Sequence, residues 1–248
     1  RVLHGGEYFS DSKIIDDDVI DKIKLLTKFG PLHHPGEIAG IEAMKNKLPE
    51  IDMVAVFDTA FHQTICEKNY IYPVPINWYE DYSVRKYGFH GTSHKYITNY
   101  MKEKLNKEDI NIISCHIGSG ASIAAIKDGK SYDTTMGLTP LAGLMMGTRC
   151  GDIDPSIIEY MIKYANKDIE DINYELNNKS GLLGISGNSD LRDVRKKAMA
   201  GDKKAIYELE LLKKIKEKLE NGIPARMIEL SDEDKDIIKD AFLLTMKK

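Results

Sequence analysis

The residues of this chain that could do chemistry are histidines, two arginines and one strand-end aspartate, set among glycines. All seven histidines, His4, His33, His34, His62, His90, His94 and His116, lie in the first half of the chain. In Tyr87-Gly88-Phe89-His90-Gly91-Thr92-Ser93-His94, two imidazoles and two hydroxyls surround glycines at the start of a helix, and a helix N-terminus attracts anions. The plainer alternative is a capped helix, with Thr92 or Ser93 as N-cap and the imidazoles packed. A metal reading of His90 and His94 lacks an acidic or Cys partner at ligand spacing. The turn Cys115-His116-Ile117-Gly118-Ser119-Gly120-Ala121-Ser122 lets backbone N–H groups converge, as phosphate oxygens require, although Gly-x-Gly in a hairpin is also an ordinary structural device. Gly147-Thr148-Arg149-Cys150-Gly151-Asp152-Ile153-Asp154-Pro155 places a guanidinium where it could grip a carboxylate or phosphate bidentately, or be neutralised by Asp152 or Asp154. Arg1, beside His4-Gly5-Gly6, has the same ambiguity. Asp58 reads as a catalytic carboxylate or as the anchor of a nearby arginine, and His33-His34 as a surface turn. There is no Ser-His-Asp order and no Gly-x-x-x-x-Gly-Lys loop. The inventory suits phosphoryl transfer, which needs positioning and charge neutralisation more than covalent chemistry.

The elements that must position these groups follow from periodicity. Val19, Ile20, Ile23 and Leu26 recur at helical spacing behind an acidic first turn, so Asp16 to Phe29 is expected to be a helix ended by Gly30-Pro31. Gly36 to Leu48 reads as a second amphipathic helix. Met53-Val54-Ala55-Val56-Phe57 is the short apolar run of a buried strand and delivers Asp58-Thr59-Ala60-Phe61-His62 at its C-terminal end, where open α/β sheets bind ligands. A helix over His94 to Leu105 precedes strands at Asn111 to His116, Ala121 to Ile126 and Ser131 to Thr134, the last two joined through Asp128-Gly129. Pro155 opens a helix through Tyr164, its positive end near Asp152 and Asp154. The expected class is α/β with a mixed sheet.

Composition narrows the function classes. The 248 residues carry 35 Lys+Arg against 39 Asp+Glu, a formal net charge of -4, which argues against a dedicated nucleic-acid binder. No apolar run approaches the ~18–20 residues that cross a bilayer, and no secretory leader is evident, so a soluble, cytoplasmic protein with no membrane partner is expected. The three cysteines, Cys66, Cys115 and Cys150, have no ligand spacing and read as buried thiols. An opening at Arg1 without Met reads as a fragment cut inside a strand-to-turn. Past residue 205 Gly almost disappears and Lys and Glu take over, which places the chemistry earlier in the chain.

In order and spacing, Arg1-Val2-Leu3-His4-Gly5-Gly6, Phe57 to His62, Tyr87 to His94, Cys115 to Ser122, Asp133-Thr134-Thr135-Met136-Gly137-Leu138-Thr139-Pro140-Leu141 and Met146 to Pro155 resemble the acetate kinases, over residues 1–205. The resemblance implies an actin/hexokinase-like (ribonuclease H-like) fold, truncated at both ends, and phosphoryl transfer from ATP to acetate with Mg²⁺ or Mn²⁺, by homodimers. It assigns Arg1 and Arg149 to the carboxylate and the phosphoryl group in flight, His90 to the transition state, and Asp58 to a catalytic carboxylate. Leu3, Leu32, Phe89 and Pro140 would line a methyl pocket. His116, Ile117, Gly118, Ser119 and Gly120, with Asp190, Leu191 and Arg192, would contact ATP, and no residue of the chain is assigned to the metal. Acetate arrives ionised, so orienting an arginine or placing Mg²⁺ suits Asp58 better than general-base work. Ser119 replaces the family's Asn, a shorter side chain with one fewer donor. The family's N-terminal phosphate loop, C-terminal adenosine loop and acidic Mg²⁺ position have no counterpart in the chain. Residues 206–248 read as a charged helical tail of different origin; in it Leu219 to Arg226, Leu230 to Lys235 and Leu243 to Lys247 resemble, over residues 209–248, a helical stretch of the Obg-like ATPases, or form a solvated helical hairpin in which Ser231 caps the second helix. The rival expectations are an inactive fragment or fusion product keeping only a fold or interaction surface, a partner-binding protein that uses the charged tail, and a propionate or butyrate kinase.

Overall fold

Asp16 starts the first helix by accepting a hydrogen bond from the Val19 N–H at 2.8 Å, with Asp17 and Asp18 at the positive end of the helix dipole. In the computed structural model, which describes residues 1–207 and 209–211, α1 spans Asp17–Leu25 and tightens into a 3-10 turn over Leu26–Phe29. Val19, Ile20, Ile23 and Leu26 form its buried stripe, as their spacing requires. The helix packs on Val2, Phe9, Ala55 and Phe57 in one core cluster, where the Phe9 and Phe57 rings stack at 4.2 Å.

β1 (Lys13–Ile14) pairs antiparallel with β2 (Val54–Ala55). The run Met53 to Phe57 is not a strand buried on both faces: Ala55 and Phe57 are buried while Val54 is 56% exposed, because successive side chains of a strand point to opposite faces and the core lies on one of them. A parallel bridge joins Val2 to Phe57, with the Val2 N–H on the Val56 carbonyl at 2.8 Å and the Asp58 N–H on the Val2 carbonyl at 3.0 Å. That bridge sets Arg1 beside Asp58.

α2 (His34–Lys47) starts two residues before the expected Gly36, with Pro35 in its first turn. His34 is consequently not part of a surface turn. Its ring is fully buried, with Nδ1 on the Ile23 carbonyl at 3.1 Å and Nε2 accepting from the His4 N–H at 3.2 Å; His33 alone stays exposed. Two short helices follow, α3 (Glu67–Tyr70) and α4 (Asn77–Tyr82), then α5 (Gly91–Leu105). β3 (Ile112–Ile117), β4 (Ala121–Lys127) and β5 (Lys130–Thr134) form a sheet in that order. Asp128 and Gly129, both at positive φ, close the β4–β5 hairpin as the Asp-Gly pair predicts. Beyond the glycine-rich stretch come α6 (Ser156–Ala165), α7 (Ile169–Asn178), α8 (Gly181–Ser186) and α9 (Leu191–Met199).

The chain divides into two compact units, one of residues 1–116 and 123–140, the other of residues 117–122 and 141 onward. The cysteines are free, and they are not the buried thiols expected: Cys66 is exposed at the turn before α3, and Cys115 and Cys150 are half-buried. Cys115 is still desolvated enough for burial to push its thiol up to about 11. Among the described residues no helix is long and apolar enough to cross a membrane. The expected tail hairpin with its Ser231 cap lies outside the described residues.

Candidate active site

In the first unit, Asp58 ends the Val54–Phe57 segment with its backbone held on both sides. Its N–H is bonded to Val2 and its carbonyl accepts the Gly91 N–H at 2.8 Å. Its carboxylate, 2% exposed, takes Arg1 bidentately, Nε to Oδ1 at 2.9 Å and Nη2 to Oδ2 at 2.5 Å. The hydrogen bond to Asp58 holds the guanidinium above its ordinary value. The Arg1 side chain is 64% exposed, so the carboxylate fixes one edge of the fork and the other faces outward. Of the two readings open for Asp58, this geometry is the arginine anchor.

His90 adopts the left-handed conformation, φ 58°, immediately before α5. Neither Thr92 nor Ser93 caps that helix; the Ser93 hydroxyl instead meets His116 Nδ1 at 3.0 Å. The His116 and His90 rings stack at 4.0 Å. Burial lowers the His116 imidazole, partly opposed by the Asp58 charge. Deeper in the unit, His94 Nδ1 meets the Ser114 hydroxyl at 2.8 Å and His62 Nδ1 the Ser131 hydroxyl at 2.8 Å. Desolvation pushes His94 down to about 3 and His62 to about 4, so both are neutral at pH 7. In the sequence His62 stands out only as part of its motif, four residues after Asp58 in the strand-end turn. Thr59 carries no signal of its own, although its Oγ1 accepts the Gly5 N–H at 2.9 Å.

Leu3 and Phe89 are buried and Pro140 half-buried in the same unit, whereas Leu32 stands 81% exposed. Leu3 hangs from Glu37, whose Oε1 accepts its N–H at 3.0 Å.

The second unit holds Arg149 and the hairpin tip. Gly118 N–H donates to the Gly120 carbonyl at 2.9 Å, and the Ser119 carbonyl accepts the Gly147 N–H at 3.1 Å. The Arg149 turn is tied to α8 through Met146 and Gly147 carbonyls accepting from Leu182 and Leu183, and through the Ser180 N–H on Thr148. Gly181 is required there: at φ +61°, a Cβ would lie 2.0 Å from the Met146 carbonyl oxygen. Arg149 is half-buried, and desolvation lowers its guanidinium. Neither neighbouring aspartate is wholly available to it, since Asp152 Oδ1 accepts from Gly143 and Asp154 Oδ1 from Ser156. Asp190 caps α9 and grips Arg192 bidentately, which lowers its carboxyl to about 2.

No group of three or more His, Cys, Asp or Glu side chains that could hold a metal occurs among the described residues, and both oxygens of Asp58 are committed to Arg1.

The chain matches the Acetokinase family over residues 1–238. The match runs past residue 205, and nothing in it supports an Obg-like origin for the tail. The acetate kinase of Mycoplasma mycoides subsp. mycoides is 57% identical over 85% of this chain and 54% of its own length; that of Bacillus subtilis is 50% identical over 92% and 58%. The chain thus spans about half the length of the curated relatives it matches. Among solved structures, a propionate kinase from Francisella tularensis superimposes with TM-score 0.83 at 47% identity, covering 85% of this chain and 55% of that one. The Entamoeba histolytica acetate kinase gives TM-score 0.83 at 38% identity, covering 92% and 59%. The fold is the α/β, actin/hexokinase-like fold of these kinases, and the chain belongs to the acetokinase family.

Proposed function

We propose that this chain carries acceptor-binding and phosphoryl-transfer residues of an acetate kinase, which converts ATP and acetate reversibly into ADP and acetyl phosphate. The observation that carries the reading is the Arg1 fork held by the buried Asp58 carboxylate, in the unit that also stacks His90 on His116. An acetate oxygen attacks the γ-phosphorus as the bond to the ADP oxygen breaks. The nucleophile arrives as an anion, so no proton is abstracted, and Asp58 orients Arg1 instead of acting as a base. The outward edge of Arg1 and the Arg149 guanidinium neutralise the acetate carboxylate and the equatorial phosphoryl oxygens, and His90 donates to the transition state. Leu3, Phe89 and Pro140 would line the methyl pocket, with Leu32, 81% exposed, at its open side. His116 to Gly120 and Asp190 to Arg192 contact ATP. A Mg²⁺ or Mn²⁺ requirement, a homodimer and a cytoplasmic setting belong to the same proposal.

Propionate kinase is the second reading, favoured by the 47% identity to the propionate kinase structure. ADP release measured with acetate, propionate and butyrate separates the two. Acetate is expected to give the highest kcat/KM, each added methylene costing about tenfold or more. A propionate optimum would select the second reading, and ADP release independent of any carboxylate would overturn both.

A further inference from the structure

We infer that His62 is a positioning residue that holds the His90 backbone in its left-handed conformation, by donating its Nε2–H to the Phe89 carbonyl while the Ser131 hydroxyl anchors the ring at Nδ1. The inference rests on the role proposed for His90, but the geometry that carries it is independent of any turnover.

The Phe89 carbonyl can only accept, so His62 Nε2, 2.9 Å from it, carries the proton. Nδ1 is then the acceptor and takes the Ser131 O–H at 2.8 Å. The ring is fully buried, its Cδ2 lying 2.8 Å from where a Cβ on Gly88 would sit. Only glycine, here at φ +76°, lets the backbone come that close. The charged imidazole is excluded first by burial, against weaker opposition from the hydrogen bond to the Phe89 carbonyl and then from Asp58 and Asp133, with Lys86 adding to the lowering.

Three hydrogen bonds then surround one strained residue. His62 fixes the carbonyl before His90, Asp58 accepts the Gly91 N–H after it at 2.8 Å, and the His90 carbonyl accepts the His94 N–H at 3.0 Å. A non-glycine residue stays at positive φ only where its surroundings over-determine it. Two of the three partners, Asp58 and His62, come from one turn, Asp58 with the 3-10 segment Ala60–Thr64. That turn therefore sets both the Arg1 fork and the direction of the His90 imidazole.

The test uses the 248-residue chain with ¹⁵N-labelled histidine and glycine, comparing His62→Gln, His62→Asn and Ser131→Ala. A glutamine amide nitrogen can occupy the place of Nε2 and keep the donor to Phe89, whereas the asparagine amide reaches only toward Ser131. In the wild type, His62 is expected to show the neutral Nε2–H pattern from pH 7 to 5.5. In His62→Asn, the His90 ring signals should move, the Gly91 amide should exchange at least about tenfold faster, and kcat should fall by up to about 100-fold with the ATP KM little changed. His62→Gln should restore all three toward wild type. Ser131→Ala keeps the imidazole and the Nε2–H tautomer that the Phe89 carbonyl requires, and should move the His90 signals in the same direction but less far than His62→Asn does. Unchanged His90 and Gly91 signals in a folded His62→Asn chain would overturn the inference, as would a Ser131→Ala chain whose His90 signals move as far as those of His62→Asn, or glutamine rescuing no better than asparagine. A wild-type chain without turnover would count against the kinase reading alone, since the resonance and exchange measurements would still decide the role of His62.

Discussion

In the proposed reaction Asp58 serves the site without taking part in bond making. Its two side-chain oxygens hold Arg1 and its backbone carbonyl holds Gly91, so the residue ties two elements together, and loss of the carboxylate alone releases Arg1 while the backbone bond to Gly91 stays. The imidazoles around it carry a pH dependence that follows from their burial. His4 and His94 are lowered to about 3 and His62 to about 4, in each case mainly by desolvation, whereas the unfolded chain titrates near the ordinary 6.5. Below that value the unfolded state binds more protons, so stability is fully present at neutral pH and is lost as pH falls from 6.5 toward the folded values. At pH 5 each group should cost the fold about 2 kcal/mol relative to pH 7. A urea midpoint that falls steeply between pH 7 and pH 5 is the expected result, and a flat one would show that these rings are protonated in the folded chain. The sequence makes Asp58 conspicuous because an apolar run ends at it. It hides the burial of His34, because two adjacent histidines before a proline have the composition of a turn; what buries His34 is its pairing with His4 and Ile23, partners 30 and 11 residues away.

At the scale of elements, α5 must start where the Asp58 turn can receive its first N–H. Gly91 permits this: a Cβ there would lie 2.3 Å from the Asp58 carbonyl oxygen. Gly91→Ala should therefore destabilise by about 1–3 kcal/mol and separate the His90 backbone from Asp58. Gly40, inside α2 with nothing within 4 Å of where a Cβ would sit, is the control; Gly40→Ala should stabilise by about 0.5–1 kcal/mol. Urea unfolding in which Gly91→Ala is the stabilised variant and Gly40→Ala the destabilised one would contradict the packing described. Helices with a long apolar stripe or a clear stop, α1, α5 and α6, are legible in the sequence to within a few residues, as are β3, β4 and the Asp128-Gly129 hairpin. β1 is not, because two residues, both exposed, carry no periodicity. α7 buries only Ile172 and α8 is a six-residue, glycine-containing turn of helix, so neither has a stripe for sequence to reveal. The N-cap expected at α5 is missing for a related reason: Ser93 has the chemistry of a cap, but its hydroxyl is taken by His116, 23 residues away.

Across the whole molecule, residues that the family resemblance assigns to one reaction fall in two compact units, Arg1, Asp58, His90 and His116 in the first and Arg149 and Asp190 to Arg192 in the second. The motifs do not reveal this division, since each is local and the split depends on which segments pack together. The most direct measurement is acetyl phosphate formation by the 248-residue chain with ATP, Mg²⁺ and acetate, trapped as the hydroxamate, beside Arg149→Ala and Asp58→Asn. The expected result is hydroxamate from the wild type, reduced about 100-fold or more in both variants. A folded wild type that forms none, or variants that form as much as the wild type, would contradict the assignment of phosphoryl transfer to these residues.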